Sequence, residues 1–145
     1  MSMTQHQAEV LEVPLSKVLR FLGQCRAEAT KARALTPSQL GVLRLLNMGG
    51  ECRMSDVAAA MALSNSACTA MADQLEKRGL VRRRTDPEDR RSVQVAITPE
   101  GRAMLQAMLA EIHGALAERL DRLNAADRVR VIEGFEALAR VIDEG

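Results

Sequence analysis

The stretch that most constrains the fold runs from Ser64 to Gly101, SNSACTAMADQLEKRGLVRRRTDPEDRRSVQVAITPEG. It reads as a helix, a short strand, a charged turn, a second strand and the start of another helix. Ser64 is suited to cap the first helix, because its hydroxyl can accept a bond from an otherwise unpaired amide of the first turn. Ala67, Met71, Leu75 and Arg78 follow at helical spacing and predict the buried stripe. Asn65, Ser66, Thr69 and Asp73 are left on or near the other face. Gly79 stops the helix, since glycine takes the left-handed conformation after a last turn without steric cost. Leu80 and Val81 then lead into Arg82, Arg83, Arg84 and Thr85. Beyond the turn, Val93, Val95 and Ile97 alternate with Ser92, Gln94 and Ala96, so one face of this hairpin is expected to be buried. Pro87 fixes φ within the turn, and Asp86 can bond local amides there. Thr98, Pro99 and Glu100 supply a hydroxyl cap, a proline at the first helical position and an acid in the first turn.

The flanking segments read mainly as helices. Residues 1–13 are expected to form a loose arm, although AEVLEV could add a helical turn, with Pro14 as the first residue of the helix proper. Leu15, Val18, Leu19, Leu22 and Cys25 recur at three and four, and that helix ends near Thr30. Thr36, Pro37 and Gln39 form a second start signal with a capping box. The helix that follows carries Leu40, Val42, Leu43, Leu45 and Leu46, apolar around much of its circumference and so central to the core; Gly49 and Gly50 end it. Glu51, Cys52 and Arg53 are too few for an independent strand but can add a third one to the hairpin. Ser55 is expected to cap a short helix bearing Val57, Ala58, Met61 and Leu63. With Ala62, Leu63 and Ser64 as the turn, this helix and the next make a helix-turn-helix. Met104, Leu105, Met108, Leu109, Ile112, Leu116, Leu120 and Leu123 mark a long helix. A last one starts at an Asn124 cap, with Val129, Ile132, Phe135, Leu138, Ala139 and Ile142 as its stripe. These terminal stripes exceed what a small core can cover, so they predict either a dimerisation surface or an intramolecular three-helix bundle.

Net charge is only +1, yet its distribution is uneven. Residues 77–99 hold seven bases against three acids, a local +4, whereas residues 1–76 balance at seven each and residues 100–145 carry nine acids against six bases. A positive field gathered on the hairpin is the footprint of a phosphate-facing site, although an arginine run can also be a plain solvated face. The 3 cysteines, Cys25, Cys52 and Cys68, show no C-x-x-C spacing, and the 2 histidines, His6 and His113, sit in no acid cluster. No metal site, cofactor or enzymatic constellation is therefore expected. No apolar run approaches the roughly 20 residues of a membrane span, and the N-terminus lacks the basic and apolar regions of a secretory signal. Cytoplasmic localisation with no membrane partner is the expectation.

The order of elements, together with LEKRGLVRR (Leu75–Arg83) and DPEDRRSVQVAITPEG, resembles the MarR family of bacterial transcription regulators over nearly the whole chain. Asp89, Arg91, Ile97, Thr98 and Gly101 are the matching hairpin residues. The resemblance implies a mainly α fold with a small β-hairpin (α+β): a winged helix-turn-helix lobe over about 36–98, with dimerisation helices over about 9–30 and 99–143, in a single domain spanning 1–145. It implies a homodimer that places its recognition helices in successive major grooves of a pseudo-palindromic operator on double-stranded DNA. A repressor released by a small aromatic or lipophilic effector is the expected function. Ser64, Asn65, Ser66 and Thr69 then belong to the DNA-facing helix, with Asn65 suited to adenine. Arg90 at the wing tip is expected in the minor groove, Asp89 and Arg91 to pair and shape the turn, and Arg82, Arg83 and Arg84 to meet phosphates. Ala70 and Gln74 stand where relatives often carry arginine, which shifts the expected affinity toward the wing. The alternatives are a redox-responsive regulator sensing through Cys68 or Cys25, for which the competing view is a buried inert thiol, and a winged-helix protein-interaction module without DNA binding.

Overall fold

Residues 2–144 are described by this computed structural model, and they form six helices and three strands. In chain order these are α1 (Met3–Lys31), α2 (Pro37–Gly49), β1 (Cys52–Arg53), α3 (Met54–Ala60), α4 (Asn65–Lys77), β2 (Val81–Thr85), β3 (Val93–Ile97), α5 (Pro99–Leu120) and α6 (Ala125–Asp143). The sheet is antiparallel in the order β1-β3-β2. Two compact units comprise residues 1–112 and 113–145, the division falling inside α5.

The core of the first unit forms around α2, whose Leu40, Leu43 and Leu46 are all but sealed from solvent. Val57 of α3, Leu75 of α4, Val81 and Val95 of the sheet, and Leu105 and Met108 of α5 are buried in the same unit. Each such side chain contributes about 1.5–3 kcal/mol by leaving water. The start signals work as their chemistry requires. At α2 the Gln39 amide donates to Thr36 Oγ1 at 3.1 Å, while the Thr36 amide donates to Gln39 Oε1 at 2.9 Å. At α5 the Gly101 amide donates to Thr98 Oγ1 at 3.0 Å. At α6 the Asp127 amide donates to Asn124 Oδ1 at 2.8 Å. Gly101 is buried where a Cβ would collide with the Leu80 carbonyl oxygen, so the wing's base and the start of α5 meet through a residue with no side chain.

Four local expectations are corrected. The first helix does not wait for Pro14; it starts at Met3, where Ser2 Oγ accepts the Gln5 amide at 3.2 Å, and Pro14 lies inside it. Gln5, Gln7, Ala8, Glu9 and Leu11 favour helix strongly enough to carry it through the proline. The dimerisation helix expected from about residue 9 is therefore longer at its start; Met1 of the expected arm lies outside the described residues. Ser55 caps nothing: β1 runs directly into α3, and Arg53, held opposite Gln94, occupies the cap position with no side-chain bond. On α4 the buried residues are Cys68, Ala72 and Leu75, while Ala67 and Arg78 are exposed. Both stripes satisfy helical spacing, and a first turn of small residues offers no large side chain to decide between them. Finally, Val95, Ala96 and Ile97 are all buried, so β3 is covered on both faces at its base. As the middle strand it places the small Ala96 opposite Arg82, whose long stem can lie over it.

Candidate nucleic-acid interface

The exposed face of α4 is fixed at both ends. Ser64 Oγ accepts the Ala67 amide at 3.1 Å. At the other end the Gly79 amide reaches the Glu76 carbonyl at 2.9 Å and the Leu80 amide reaches the Leu75 carbonyl at 3.0 Å, with Gly79 at φ +71°. That closure is a Schellman ending. It turns the chain straight into β2. Asn65, Ser66 and Thr69 are all exposed on the first turns. The Thr69 hydroxyl donates to the Asn65 carbonyl at 2.9 Å, and the hydroxyls of Ser64 and Ser66 stand 3.2 Å apart. No hydrogen bond engages the Asn65 carboxamide among the described residues, leaving its donor and acceptor pair for an outside partner. Asn65 and Thr69 line one groove with Met54, Ser55, Arg91 and Ser92, so the helix and the wing present a continuous polar surface.

Strand alternation divides the three arginines of β2. Arg82 pairs in register with Ala96 and Arg84 with Gln94, whereas Arg83, opposite Val95, faces α4. Arg83 forms ion pairs with Asp73 and, at 3.1 Å, with Glu76. Its backbone amide also donates to Glu76 Oε2 at 2.8 Å. These bonds hold the Glu76 carboxyl below the usual carboxylate range and raise Arg83. Arg84 pairs with Glu51 at 2.5 Å. Arg82, Arg90 and Arg91 are exposed, and their guanidinium groups have no bonded partner among the described residues. The phosphate-contacting trio expected from sequence is thus distributed by the pleat: one clamped inward, one paired on the sheet surface, one open.

The wing turn is built by its acids. Asp86 Oδ1 accepts the Glu88 amide and Asp89 Oδ1 accepts the Arg91 amide, each at 3.0 Å. The Asp86 amide closes the loop on the Ser92 carbonyl at 2.9 Å. Asp89 and Arg91 do associate, but through the Arg91 backbone, so the turn is shaped while the guanidinium stays available. Arg90 stands exposed at the tip between them.

Three anchors escaped the sequence reading. Arg78, assigned to a buried stripe, is instead exposed, and its guanidinium donates to the carbonyls of Arg33 and Ala34, each at 2.8 Å. Arg33 in turn pairs with Glu111 of α5 at 2.6 Å. Gln74, which stands where relatives often carry arginine, accepts from Gln39 Nε2 at 3.1 Å and is tied to α2. The capping-box glutamine was the available signal, because a buried amide with one end used in a cap must satisfy the other.

Cys25 and Cys68 are buried and Cys52 half-buried, all as free thiols. Burial pushes the Cys68 thiol up, and its Sγ lies 3.8 Å from the Met54 carbonyl. Those are the surroundings of an unreactive cysteine. Among the described residues no group of three or more His, Cys, Asp or Glu could hold a metal ion, and no helix is long and apolar enough to cross a membrane.

A helix-turn-helix followed directly by a β-wing whose tip is arginine-bearing defines a winged helix-turn-helix protein. The MarR family profile matches residues 35–93, from the start of α2 to the start of β3. The transcriptional repressor MdtR of Bacillus subtilis is 30% identical over 116 residues, which span 80% of this chain and 75% of that protein. The uncharacterized transcriptional regulator YfiV of the same organism is 36% identical over 105 residues, 72% of this chain and 66% of that protein. A MarR family protein from Bacillus stearothermophilus superposes with a TM-score of 0.87 at 22% identity, covering 98% of this chain and 99% of its own, a likeness of fold. The chain belongs to the MarR family of transcriptional regulators and is not an enzyme.

Proposed function

We propose that the chain represses transcription by binding a pseudo-palindromic operator as a homodimer, with α4 in the major groove and the wing in the flanking minor groove. The observation that carries this reading is the shared groove of Asn65, Thr69 and Arg91, with Arg90 exposed at the tip of the same wing. An uncommitted carboxamide next to uncommitted guanidinium groups suits base edges flanked by phosphates. Asn65, Ser66 and Thr69 are the readers; Ser64 serves by capping the helix that holds them. Arg82, Arg90 and Arg91 supply the positive contacts, and Arg84 contributes to the extent that Glu51 releases it. Repression is proposed because MdtR carries that name.

Dimerisation is supported by apolar surface left open in one chain. None of α6 is buried, and Val129, Ile132, Phe135, Val141 and Ile142 are exposed along it. Val10, Leu11, Val13 and Leu19 are exposed on α1. Surface of this kind marks an association site. Release by a small aromatic or lipophilic effector completes the reading and rests on family membership; a thermal-shift screen with aromatic acids, followed by DNA titration with any stabilising compound, tests it.

The test of DNA binding is selection of bound duplexes from a random-sequence pool, followed by a titration of the recovered duplex at several salt concentrations. The reading predicts a two-fold related consensus and a steep fall of affinity with salt. A salt slope near zero would instead indicate a protein-interaction module.

A further inference from the structure

The clamp on Arg83 connects the two parts of the proposed DNA surface. Arg83 sits in the middle of β2, and its guanidinium reaches Asp73 and Glu76 on α4 while its backbone amide bonds the same Glu76. The side chain is 23% exposed, against 58% for its neighbour Arg84. One residue therefore ties strand to helix through both main chain and side chain. Asp73 and Glu76 are three apart on one helical face, a spacing that lets both carboxylates meet the Arg83 Nη2 and so resists rotation about the strand. No other ion pair among the described residues links α4 to the wing.

We infer that Arg83 is a positioning residue: with Asp73 and Glu76 it fixes the angle between α4 and the wing, and so the spacing between the bases α4 reads and the groove Arg90 enters. This rests on the proposed reading of α4 and the wing as one DNA-binding surface. Arg83 itself is not a phosphate contact, since its one positive charge already faces two carboxylates through Nη2. The three residues then set operator specificity without touching a base.

The experiment uses the full-length protein and the duplex recovered by selection on it. Affinity is measured over a salt series, and backbone protection is mapped by hydroxyl-radical footprinting. The variants are Arg83→Met, Arg83→Lys and the double substitution Asp73→Asn with Glu76→Gln. The double variant is decisive because it leaves Arg83 in place and removes two negative charges beside the DNA surface. If Arg83 met phosphate, the double variant would bind as tightly as the parent or more tightly. The clamp predicts the reverse: a loss of about tenfold or more, the size of one good groove contact. It also predicts an unchanged salt slope in Arg83→Met, protection lost at the wing's groove but kept at that of α4, and partial recovery in Arg83→Lys. A slope reduced by about 1 in Arg83→Met, the signature of a lost phosphate contact, would overturn the inference, as would parental affinity in the double variant. Circular dichroism confirms that each variant is folded; should Arg83→Met fail to fold, the double variant decides alone. Failure of the parent protein to bind any duplex in a salt-dependent way would instead overturn the DNA reading itself.

Discussion

At the scale of single residues, what matters is which polar groups the fold leaves unspent. Five arginines fall between 82 and 91, and equal charge conceals unequal roles. Arg83 and Arg84 have carboxylate partners, whereas Arg82, Arg90 and Arg91 have none among the described residues. Strand alternation alone could have separated Arg83 from its neighbours in the sequence; its acid partners could not be named, because Asp73 and Glu76 come into range only once α4 packs on the sheet. Gly101 illustrates the opposite case. It was legible as part of a helix start, but its collision-limited packing on Leu80 belongs to the tertiary structure. Gly101→Ala is expected to destabilise the protein by about 1–3 kcal/mol, the usual scale for a forced methyl in a packed site, because the opposing atom is backbone and cannot rotate away. Urea unfolding of the variant beside the parent checks this, and an unchanged midpoint would show that the close approach relaxes freely.

Among the elements, the α4–wing unit has the most to lose when its geometry loosens. Its pH dependence has a definite sign. Glu76 has its pKa depressed in the fold, chiefly by the Arg83 guanidinium and then by the Arg83 amide. A depressed carboxylate contributes stability that is fully present above its unfolded value, about 4.3. That contribution is lost as pH falls through the lower folded value. The clamp is therefore expected to be intact throughout neutral and mildly acidic solution and to release only in stronger acid. An NMR titration following the Glu76 carboxyl and the Arg83 amide together would show both moving in one step below the ordinary glutamate range; a transition at the ordinary value would show that the pair does not hold in solution. Element types were legible where local chemistry is decisive, as in the Thr36–Gln39 capping box, the Gly79 ending and the Asn124 cap. Element edges were less so. The start of α1 depended on whether helix formers such as Gln5, Gln7, Ala8, Glu9 and Leu11 outweigh one proline, a balance that no single residue reveals.

For the molecule as a whole, the family fold and the charge segregation fit the proposed function: positive charge gathered on residues 77–99 and apolar helices at the ends of the chain. A lone α6 with Ile132 and Phe135 half exposed is an incomplete object. Phe135→Glu is expected to shift the protein toward monomer in sedimentation equilibrium and to weaken DNA binding with it, because two half-sites bound separately forfeit the effective concentration that linkage provides. Retention of a dimer would move the interface elsewhere. Dimer contacts could be anticipated only as surplus hydrophobicity, since a periodic stripe records that something covers it and not what. The central claim, that α4 and the wing together bind DNA, is tested most directly by titrating the selected duplex with the parent protein and Arg90→Ala across a salt series. Steep salt dependence is expected for the parent, with a loss of about 1–3 kcal/mol in the variant. Equal affinities for the two proteins, or binding indifferent to salt, would contradict it.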